Sequence, residues 1–203
     1  MTMDDTRLIA RALKDDASAQ QALYEAHFGR AYRLAYVFLQ NAGDAEEIVQ
    51  DAYVYVFAHL EQYDPDRGSF WAWLRVTLVS RCRNRRRRKE MAAVSLEALA
   101  AGGELRDPGG ERDPAAAVAM RDSRRAILEA LDLVSPGARD VLILRYYEGL
   151  KYAEIGEVLG CSAEAARSRA VHGKVQLREI LTASLEAPVR ARPAKRMTGA
   201  RER

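Results

Sequence analysis

The distribution of proline and glycine constrains this chain of 203 residues more than any other feature of its sequence. Residues 1–64 contain no proline and only two glycines, whereas residues 95–117 contain Gly-Gly twice and Asp-Pro twice. Because proline and paired glycines interrupt regular structure, the pattern predicts two structured blocks joined by a flexible linker. The expected boundaries are residues 1–90 for the first block, 91–119 for the linker, 120–183 for the second block and 184–203 for a basic, disordered tail.

Apolar residues recur at helical spacing in both blocks, most clearly in the segment DAEEIVQDAYVYVFAHL at residues 44–60. Its apolar positions advance in steps of one, three and four and form one broad stripe, which is typical of an amphipathic helix. Asp44, with Glu47 three residues later, is the expected N-cap of this helix. No segment of useful length alternates polar and apolar residues as a half-buried strand does. We therefore predict an all-α fold with two small helical domains.

Composition and spacing exclude several classes of protein. The two cysteines and three histidines lack the spacing of a zinc site or a disulfide framework, and no glycine-rich phosphate loop is present. We therefore expect neither a metal nor a cofactor. The polar N-terminus has no signal-peptide core, and no window approaches the length of about eighteen apolar residues that spans a membrane. We expect a cytoplasmic protein without membrane insertion.

The most concentrated charge lies at the end of the segment WAWLRVTLVSRCRNRRRRK, residues 71–89. Seven of its last nine residues are basic and none is acidic, although the formal net charge of the whole chain is only +3. Such a cluster is the usual electrostatic footprint of a nucleic-acid-binding surface. Charge runs also occur in solvated, disordered segments. An internal run that directly follows an apolar segment favours the nucleic-acid interpretation.

The segment YAEIGEVLGCSAEAARSRAVHGKVQLREIL, residues 152–181, has the pattern of a helix-turn-helix. Gly160 suits the left-handed residue that ends a first helix, and Ser162 suits the N-cap of a second. The second helix is basic, as expected for a helix in the major groove, where arginine pairs with guanine or phosphate. Val171 and Val175 are expected to face inward. An αα-hairpin with a solvated basic face is the alternative interpretation.

Together these segments resemble bacterial RNA polymerase sigma factors of the sigma-70 family, in particular the small extracytoplasmic function (ECF, group 4) type. The DAEEIVQD helix and the FWAWL segment at residues 70–74 resemble region 2, in which DAEDLVQE and F-x-x-WL recur. The run LILRYYEGLKYAEIGEVL, residues 142–159, and the arginine-containing helix after it resemble region 4. The resemblance covers most of the chain, and two motif sets in this order are more specific than either alone.

The resemblance implies a promoter-specificity subunit rather than an enzyme. Such a protein binds core RNA polymerase, directs initiation at promoters with minus-10 and minus-35 elements, and stabilises the melted non-template strand. The expected contacts on the polymerase are the β′ clamp helices and the β flap, and an anti-sigma factor is a further expected partner. The positions that match the docking helix of region 2 are Asp44, Glu47, Gln50 and Asp51.

The resemblance also implies two sets of DNA-binding residues. For the melted minus-10 element, which a positive groove with stacking surfaces can hold, they are Trp71, Arg75, Arg81, Arg83, Asn84, Arg85, Arg86, Arg87 and Arg88. For the duplex minus-35 element they are Ser162, Arg167, Ser168, Arg169, His172 and Lys174. Trp73 is expected in the core, because tryptophan is usually buried, and Trp71 is expected to be exposed on another helical face.

Two other functions compete with this interpretation. A DNA-binding regulator that never joins polymerase would lack the DAEEIVQD helix and the F-x-x-WL segment, and both are present here. An enzyme acting on nucleic acid would need a metal-binding carboxylate cluster or a nucleophile–base pair. The densest acidic group, Glu46, Glu47 and Asp51, has no partnering histidine. The sequence therefore favours the sigma-factor function.

Overall fold

The structure, a computed structural model, describes residues 3–95 and 114–186. Every regular element within these ranges is helical and none is a strand, which confirms the predicted all-α class. The first block contains α1 (Met3–Ala12), α2 (Ala17–Leu39), α3 (Ala42–Ala58), two short 3-10 turns (Leu60–Gln62 and Pro65–Arg67) and α4 (Phe70–Ser95). The second block contains α5 (Pro114–Leu133), α6 (Pro136–Leu142) with a π-helical extension (Ile143–Tyr147), α7 (Tyr152–Leu159) and α8 (Ala163–Glu186).

The helices extend beyond the boundaries expected from composition. α4 continues to Ser95 and α5 begins at Pro114, so both ends of the predicted linker, 91–119, are helical. Proline is compatible with the start of α5 because the first helical turn needs no backbone N–H donor. α8 likewise continues to Glu186, past the expected end of the second block. The rest of the predicted linker and of the tail lies outside the described residues.

α3 begins earlier than expected. Its N-cap is Asn41, whose side-chain oxygen accepts a hydrogen bond of 2.9 Å from the backbone N–H of Asp44. The prediction that Asp44 is the N-cap is therefore wrong, because asparagine caps a helix as well as aspartate does and the helix includes Gly43. Asp44 lies in the first turn instead, where the helix dipole stabilises its carboxylate.

α2, α3 and α4 pack around one apolar core, and α1 packs against α2. The largest fully buried side chains of this core are Leu23, Leu34, Phe38, Val49, Val56, Phe70, Leu74, Leu78 and Val79. Burial of each large apolar side chain contributes roughly 1.5–3 kcal/mol. The buried stripes of α3 and α4 therefore determine which of their polar side chains face solvent.

The second block forms the predicted helix-turn-helix. Gly160 has φ 68°, the left-handed conformation that ends α7, and Ser162 Oγ accepts a hydrogen bond of 3.1 Å from the backbone N–H of Ala165. A Cβ atom on Gly156 would lie 2.5 Å from the carbonyl oxygen of Cys161. Only glycine therefore lets the turn pack so closely on α7, and the angle between α7 and α8 depends on it.

Several side chains face differently from expectation. Val171 and Val175 were expected to face inward but are 56% and 52% exposed. The reason is that α8 packs against α6 and α7 through the buried Ala170 side instead. Trp71 was expected to be exposed but is only 6% exposed, and Trp73 is only partly buried against the core. Trp71 is covered in part by His27 and Arg30 of α2 and in part by the second block.

Two properties of residues 3–95 and 114–186 concern membranes and metal ions. No helix in this part of the chain is both long and apolar enough to cross a membrane. Within the same ranges, no group of three or more histidine, cysteine, aspartate or glutamate residues is placed to hold a metal ion. Cys82 and Cys161 are free thiols, and burial raises the pKa of the Cys82 thiol.

Candidate nucleic-acid interface

The basic segment of the first block lies on one uninterrupted helix, α4. Arginine and lysine favour helix formation, but like charges one turn apart repel each other. Carboxylates from α3, α5 and α6 lie alongside α4 and offset this repulsion. The exposed members of the predicted minus-10 set are Arg83, Asn84, Arg87 and Arg88, and the partly buried members are Arg81, Arg85 and Arg86.

α3 supplies the carboxylates that pair with the far end of the basic run. The guanidinium of Arg85 lies 3.2 Å from Asp44 Oδ1 and also contacts Glu47, and the ammonium of Lys89 contacts Asp44. The Asp44 side chain is 12% exposed, so the two cations cover most of it. The structure therefore brings two predicted polymerase-docking residues next to a predicted DNA-binding residue.

The predicted docking face of α3 is open to solvent at three of its four positions. Glu47, Gln50 and Asp51 are exposed and lie at i, i+3 and i+4, so they share one face of the helix. Asp44 is mostly covered and serves to hold α4 against α3. The exposed acidic face has the charge and the accessibility that docking on a basic partner helix requires.

An aromatic pair beside α4 was not anticipated from the sequence. The rings of Tyr55 and His59 stack with centroids 4.1 Å apart, and the guanidinium carbon of Arg81 lies 5.2 Å from the centre of the Tyr55 ring. Tyr55 is 38% exposed and its neighbour Val54 is 71% exposed. Aromatic rings beside arginine hold unpaired bases in many proteins that bind single strands. The i, i+4 spacing of the two rings was the available sequence signal.

Glu148, which follows the π-helical turn of the second block, contacts the first half of α4. Its Oε2 atom lies 3.0 Å from Arg30 Nη2, 3.2 Å from Trp71 Nε1 and 3.8 Å from Arg75 Nη1. The guanidinium of Arg30 also lies 4.2 Å from the centre of the Trp71 ring. These contacts explain why Trp71 is buried. Burial lowers the pKa of Arg75, although Glu148 acts in the opposite direction.

Two aspartates of the second block contact the basic run itself. Asp140 Oδ2 lies 3.0 Å from Arg83 Nε, and Asp132 contacts Arg86, which also donates a hydrogen bond of 2.8 Å to the carbonyl of Phe38. Burial raises the pKa of Asp140 to about 6, although Arg83 and Arg86 oppose the shift. The second block therefore places a carboxylate against four predicted minus-10 residues: Trp71, Arg75, Arg83 and Arg86.

The second basic helix, α8, leaves its polar face open. All of the predicted minus-35 residues are exposed: Ser162, Arg167, Ser168, Arg169, His172 and Lys174. A ring nitrogen of His172 lies 2.9 Å from the Ser168 carbonyl, and Lys174 Nζ lies 5.2 Å from the centre of the Tyr146 ring. A hydrogen bond with Tyr146 raises the pKa of Lys174. Among the described residues no carboxylate forms an ion pair with these α8 cations.

Comparison with known proteins gives consistent matches. Residues 23–91 match the family model of Sigma-70 region 2, and residues 124–177 match that of Sigma-70, region 4. The chain is 33% identical over 181 residues to the ECF RNA polymerase sigma factor SigK of Mycolicibacterium vanbaalenii, an alignment that covers 89% of this chain and 91% of the relative. It is 34% identical over 175 residues to the ECF RNA polymerase sigma factor SigE of Mycolicibacterium smegmatis, covering 82% and 65% of the two chains.

A solved structure supports the fold. The sigma factor RpoE of Bartonella quintana, in a co-crystal structure with the anti-sigma factor NepR, superposes with a TM-score of 0.61. The superposition covers 80% of this chain and 96% of that chain, at 18% sequence identity. The likeness therefore extends over both helical blocks at the level of the fold.

Proposed function

This chain belongs to the ECF family of RNA polymerase sigma factors, and from that membership we propose a division of roles between its two helical blocks. The chain is a promoter-specificity subunit of RNA polymerase. Sigma factors are initiation factors and not enzymes in themselves. We propose that this chain makes and breaks no bond, and that its contribution is binding energy directed at a melted promoter.

We propose that α3 docks on the β′ clamp helices of core polymerase through Glu47, Gln50 and Asp51. Two features support this role: the three side chains share one exposed face, and the match to Sigma-70 region 2 includes α3. Asp44 has a supporting role, because its ion pairs with Arg85 and Lys89 fix α4 beside the docking face.

Charge reversal on α3 tests the docking role. The double variant Glu47→Arg with Asp51→Arg should weaken binding to core polymerase about tenfold or more, because like charges then face each other in the interface. Fluorescence anisotropy of labelled protein titrated with core polymerase measures the change. Glu25→Arg is the matched control, since Glu25 is exposed on α2 and lies outside the predicted docking set. Equal affinities for all three proteins would contradict the docking assignment.

We propose that α4 and the adjacent aromatic pair hold the melted non-template strand of the minus-10 element. Arg87 and Arg88 are placed to contact phosphates, and Asn84 offers both a donor and an acceptor to an unpaired base. Tyr55 and His59 add a stacking surface next to Arg81. Arg75, Arg83, Arg86 and Trp71 complete this surface once the second block moves away.

We propose that α8 reads the duplex minus-35 element and that the second block also contacts the β flap. Arg167, Arg169 and His172 are exposed on the second helix of a helix-turn-helix, the helix that enters the major groove. Ser162, Ser168 and Lys174 are placed to contact the phosphate backbone on either side. The observation that carries the whole proposal is the presence, in order, of both sigma regions on one chain.

Run-off transcription tests this function directly. Core polymerase with and without the full chain is supplied with a pool of fragments from the source genome. Discrete transcripts that depend on the chain, with shared upstream sequences, are the expected result. A chain that binds DNA fragments but neither binds core polymerase nor yields transcripts would instead be a plain DNA-binding regulator.

We infer two further properties from family membership. The protein acts in the cytoplasm, where sigma factors work with RNA polymerase. It also has an anti-sigma partner, as the Bartonella quintana sigma factor has in its co-crystal structure. Co-purification of the tagged full chain from its own cells, followed by identification of stoichiometric partners, measures both core polymerase and an anti-sigma protein in one experiment.

A further inference from the structure

Val171 and Val175 form an exposed apolar pair on α8, the helix that we propose reads duplex DNA. The two residues are one helical turn apart, so their side chains share a face of the helix, and they are 56% and 52% exposed. Val171 lies within residues 162–174, the stretch that carries all six predicted minus-35 residues. An aliphatic side chain is therefore exposed among the polar and charged side chains that are expected to meet DNA.

The packing of α8 against α6 fixes the direction of Val171. Ala170 is fully buried, and a Cβ atom on Gly173 would lie only 3.0 Å from Leu142 Cδ1 and 3.1 Å from Ala138 Cβ. The small side of α8 thus lies directly on α6. At 3.6 residues per turn, Val171 is about 100° from Ala170 and about 200° from Gly173 around the helix axis. Its side chain therefore points away from the core of the second block.

Val171 contributes little to the stability of the fold at this position. A β-branched residue favours a helix less than alanine does, because its side chain loses rotamer freedom. A side chain that is more than half exposed also removes little apolar area from water. An aliphatic group here gains free energy only when another molecule covers it.

The major groove of DNA offers an aliphatic side chain one favourable partner. The edges of guanine, cytosine and adenine present only hydrogen-bond donors and acceptors there, whereas thymine presents a C5-methyl group beside its O4 acceptor. A valine side chain forms no hydrogen bond, so against a polar edge it displaces water and replaces none of the lost contacts. Against a thymine methyl group it buries apolar area on both sides. Valine in the groove therefore favours thymine.

We propose that Val171 is a specificity-determining residue that contacts the 5-methyl group of a thymine in the minus-35 element. The inference rests on the proposed function, since it takes α8 to be the helix in the major groove. Val171 lies about 12 Å along the axis from the first residue of α8, and Val175 lies about 18 Å along it. The groove is about 12 Å wide, and the N-terminal residues of a recognition helix contact the bases. The geometry therefore assigns the contact to Val171.

The surroundings of Val171 favour DNA over a protein partner. Arg167 lies four residues before it and Lys174 three residues after it, and His172 is its neighbour; all three are exposed. Positive charge of this density suits a phosphate backbone. Apolar patches that bind proteins usually measure several hundred Å², which two valine side chains do not supply.

Uracil substitution in duplex DNA tests the contact, because deoxyuridine differs from thymidine only by the missing methyl group. The full natural chain first selects its preferred duplexes from a pool with a random core, by repeated mobility shift. Each thymine of the selected duplex is then replaced in turn by uracil. Affinities are measured for the natural chain, for Val171→Ala and for the matched control Val175→Ala, which removes the same group from a similarly exposed position one turn farther on.

The natural chain should lose about fourfold in affinity when one particular thymine is replaced, which is the contribution of about one buried methyl group. Val171→Ala should bind the thymine and uracil duplexes equally, whereas Val175→Ala should keep the natural fourfold loss. The alanine variants should fold normally, since alanine favours a helix and both positions are exposed. A natural chain that is indifferent to uracil at every position would overturn the inference, as would a loss that persists in Val171→Ala.

The same measurements separate this inference from the proposed function. If the natural chain selects no sequence from the pool, the minus-35 role of α8 fails and the thymine contact fails with it. If the chain selects a sequence that Val171→Ala reads unchanged, only the thymine contact is wrong. Co-purification with the full-length variant adds one further outcome: a Val171→Ala chain that keeps its DNA preference but loses a protein partner would assign Val171 to a protein interface instead.

Discussion

The two basic helices of this protein, α4 and α8, have similar side chains in opposite surroundings. On α4, Arg83, Arg85 and Arg86 each contact a carboxylate from another helix. On α8, Arg167 and Arg169 are exposed and form no ion pair within the described part of the chain. Polyanion binding at α8 therefore adds new contacts, whereas binding at α4 must replace contacts that already exist.

This difference means that the number of positive charges does not measure how strongly a helix attracts DNA. The gain from binding at α4 is the difference between phosphate and carboxylate contacts, and it is smaller than the gain at an exposed arginine. Moving the carboxylates away from α4 would change the affinity of α4 for DNA. The affinity of α8 for DNA cannot be changed in this way.

The largest expected effect comes from α8, where binding is direct. Arg167→Ala with Arg169→Ala should weaken binding to duplex DNA carrying the minus-35 element by about 100-fold, since each good arginine contact contributes roughly 1–3 kcal/mol. The slope of log affinity against log salt concentration should also become shallower, because two positive charges close to the DNA phosphates are lost. Electrophoretic mobility shifts over a range of salt concentrations measure both quantities.

The control for α8 is Arg178→Ala, an exposed cation farther along the same helix that lies outside the predicted contact set. It should bind duplex DNA nearly as tightly as the natural chain. If the double variant loses equal affinity for promoter and random DNA, then Arg167 and Arg169 hold phosphates only. The sequence readout would then belong to other residues of α8.

A smaller effect separates structural from DNA-binding arginines within α4. Arg85→Ala leaves the mostly buried carboxylate of Asp44 with one cation fewer, which should cost about 1 kcal/mol and lower the melting temperature by about 3 °C. Arg87 is exposed and contacts Asn84, so Arg87→Ala should change stability by less than about 0.5 kcal/mol. Thermal unfolding followed by circular dichroism measures this contrast.

Binding to single-stranded DNA should show the reverse order. Arg87→Ala should lose more affinity than Arg85→Ala, because Arg87 is free of carboxylate contacts among the described residues while Arg85 is held by Asp44 and Glu47. Equal stability losses in the two variants would show that the α3 carboxylates do not distinguish them. The proposed contrast between paired and exposed arginines would then fail within α4.

Local features of the sequence predicted local features of the structure. The helical spacing of apolar residues predicted the all-α fold, and Gly160 with Ser162 predicted the turn between α7 and α8, because each signal acts within a few residues. The exposed face of α3 followed from the same periodicity. The cap at Asn41 was missed because two polar residues three positions apart, Asn41 and Asp44, can each start a helix and the sequence does not rank them.

The contacts between the blocks could not be predicted. Trp71 is covered by a glutamate that lies 77 residues away in the chain, and Arg86 is paired with an aspartate 46 residues away. Helical periodicity indicates which side of α4 is apolar, but not which other helix lies against its polar side. The burial of Trp71 therefore depends in part on how the two blocks meet, and no pattern within either block records that contact.

The smallest expected effect concerns whether the carboxylate facing Arg83 stabilises the fold or costs stability. Asp140 has a pKa of about 6 because it is buried, well above the ordinary value of 3.8. Arg83 and Arg86 act to lower this pKa, and Glu90 acts to raise it. Because the folded pKa is the higher one, the stability from Asp140 is fully present below pH 3.8 and is lost as the pH rises through 6.

Asp140→Asn isolates this contribution, since asparagine imitates the neutral acid at every pH. At pH 7.5 the variant should melt about 2 °C above the natural chain, and the gap should close at pH 5 as Asp140 takes up a proton. Melting curves of the two proteins at both pH values give the comparison. A variant that is instead less stable at pH 7.5 would show that the ion pair with Arg83 outweighs the cost of burial. The second block would then hold α4 more firmly than the raised pKa of Asp140 implies.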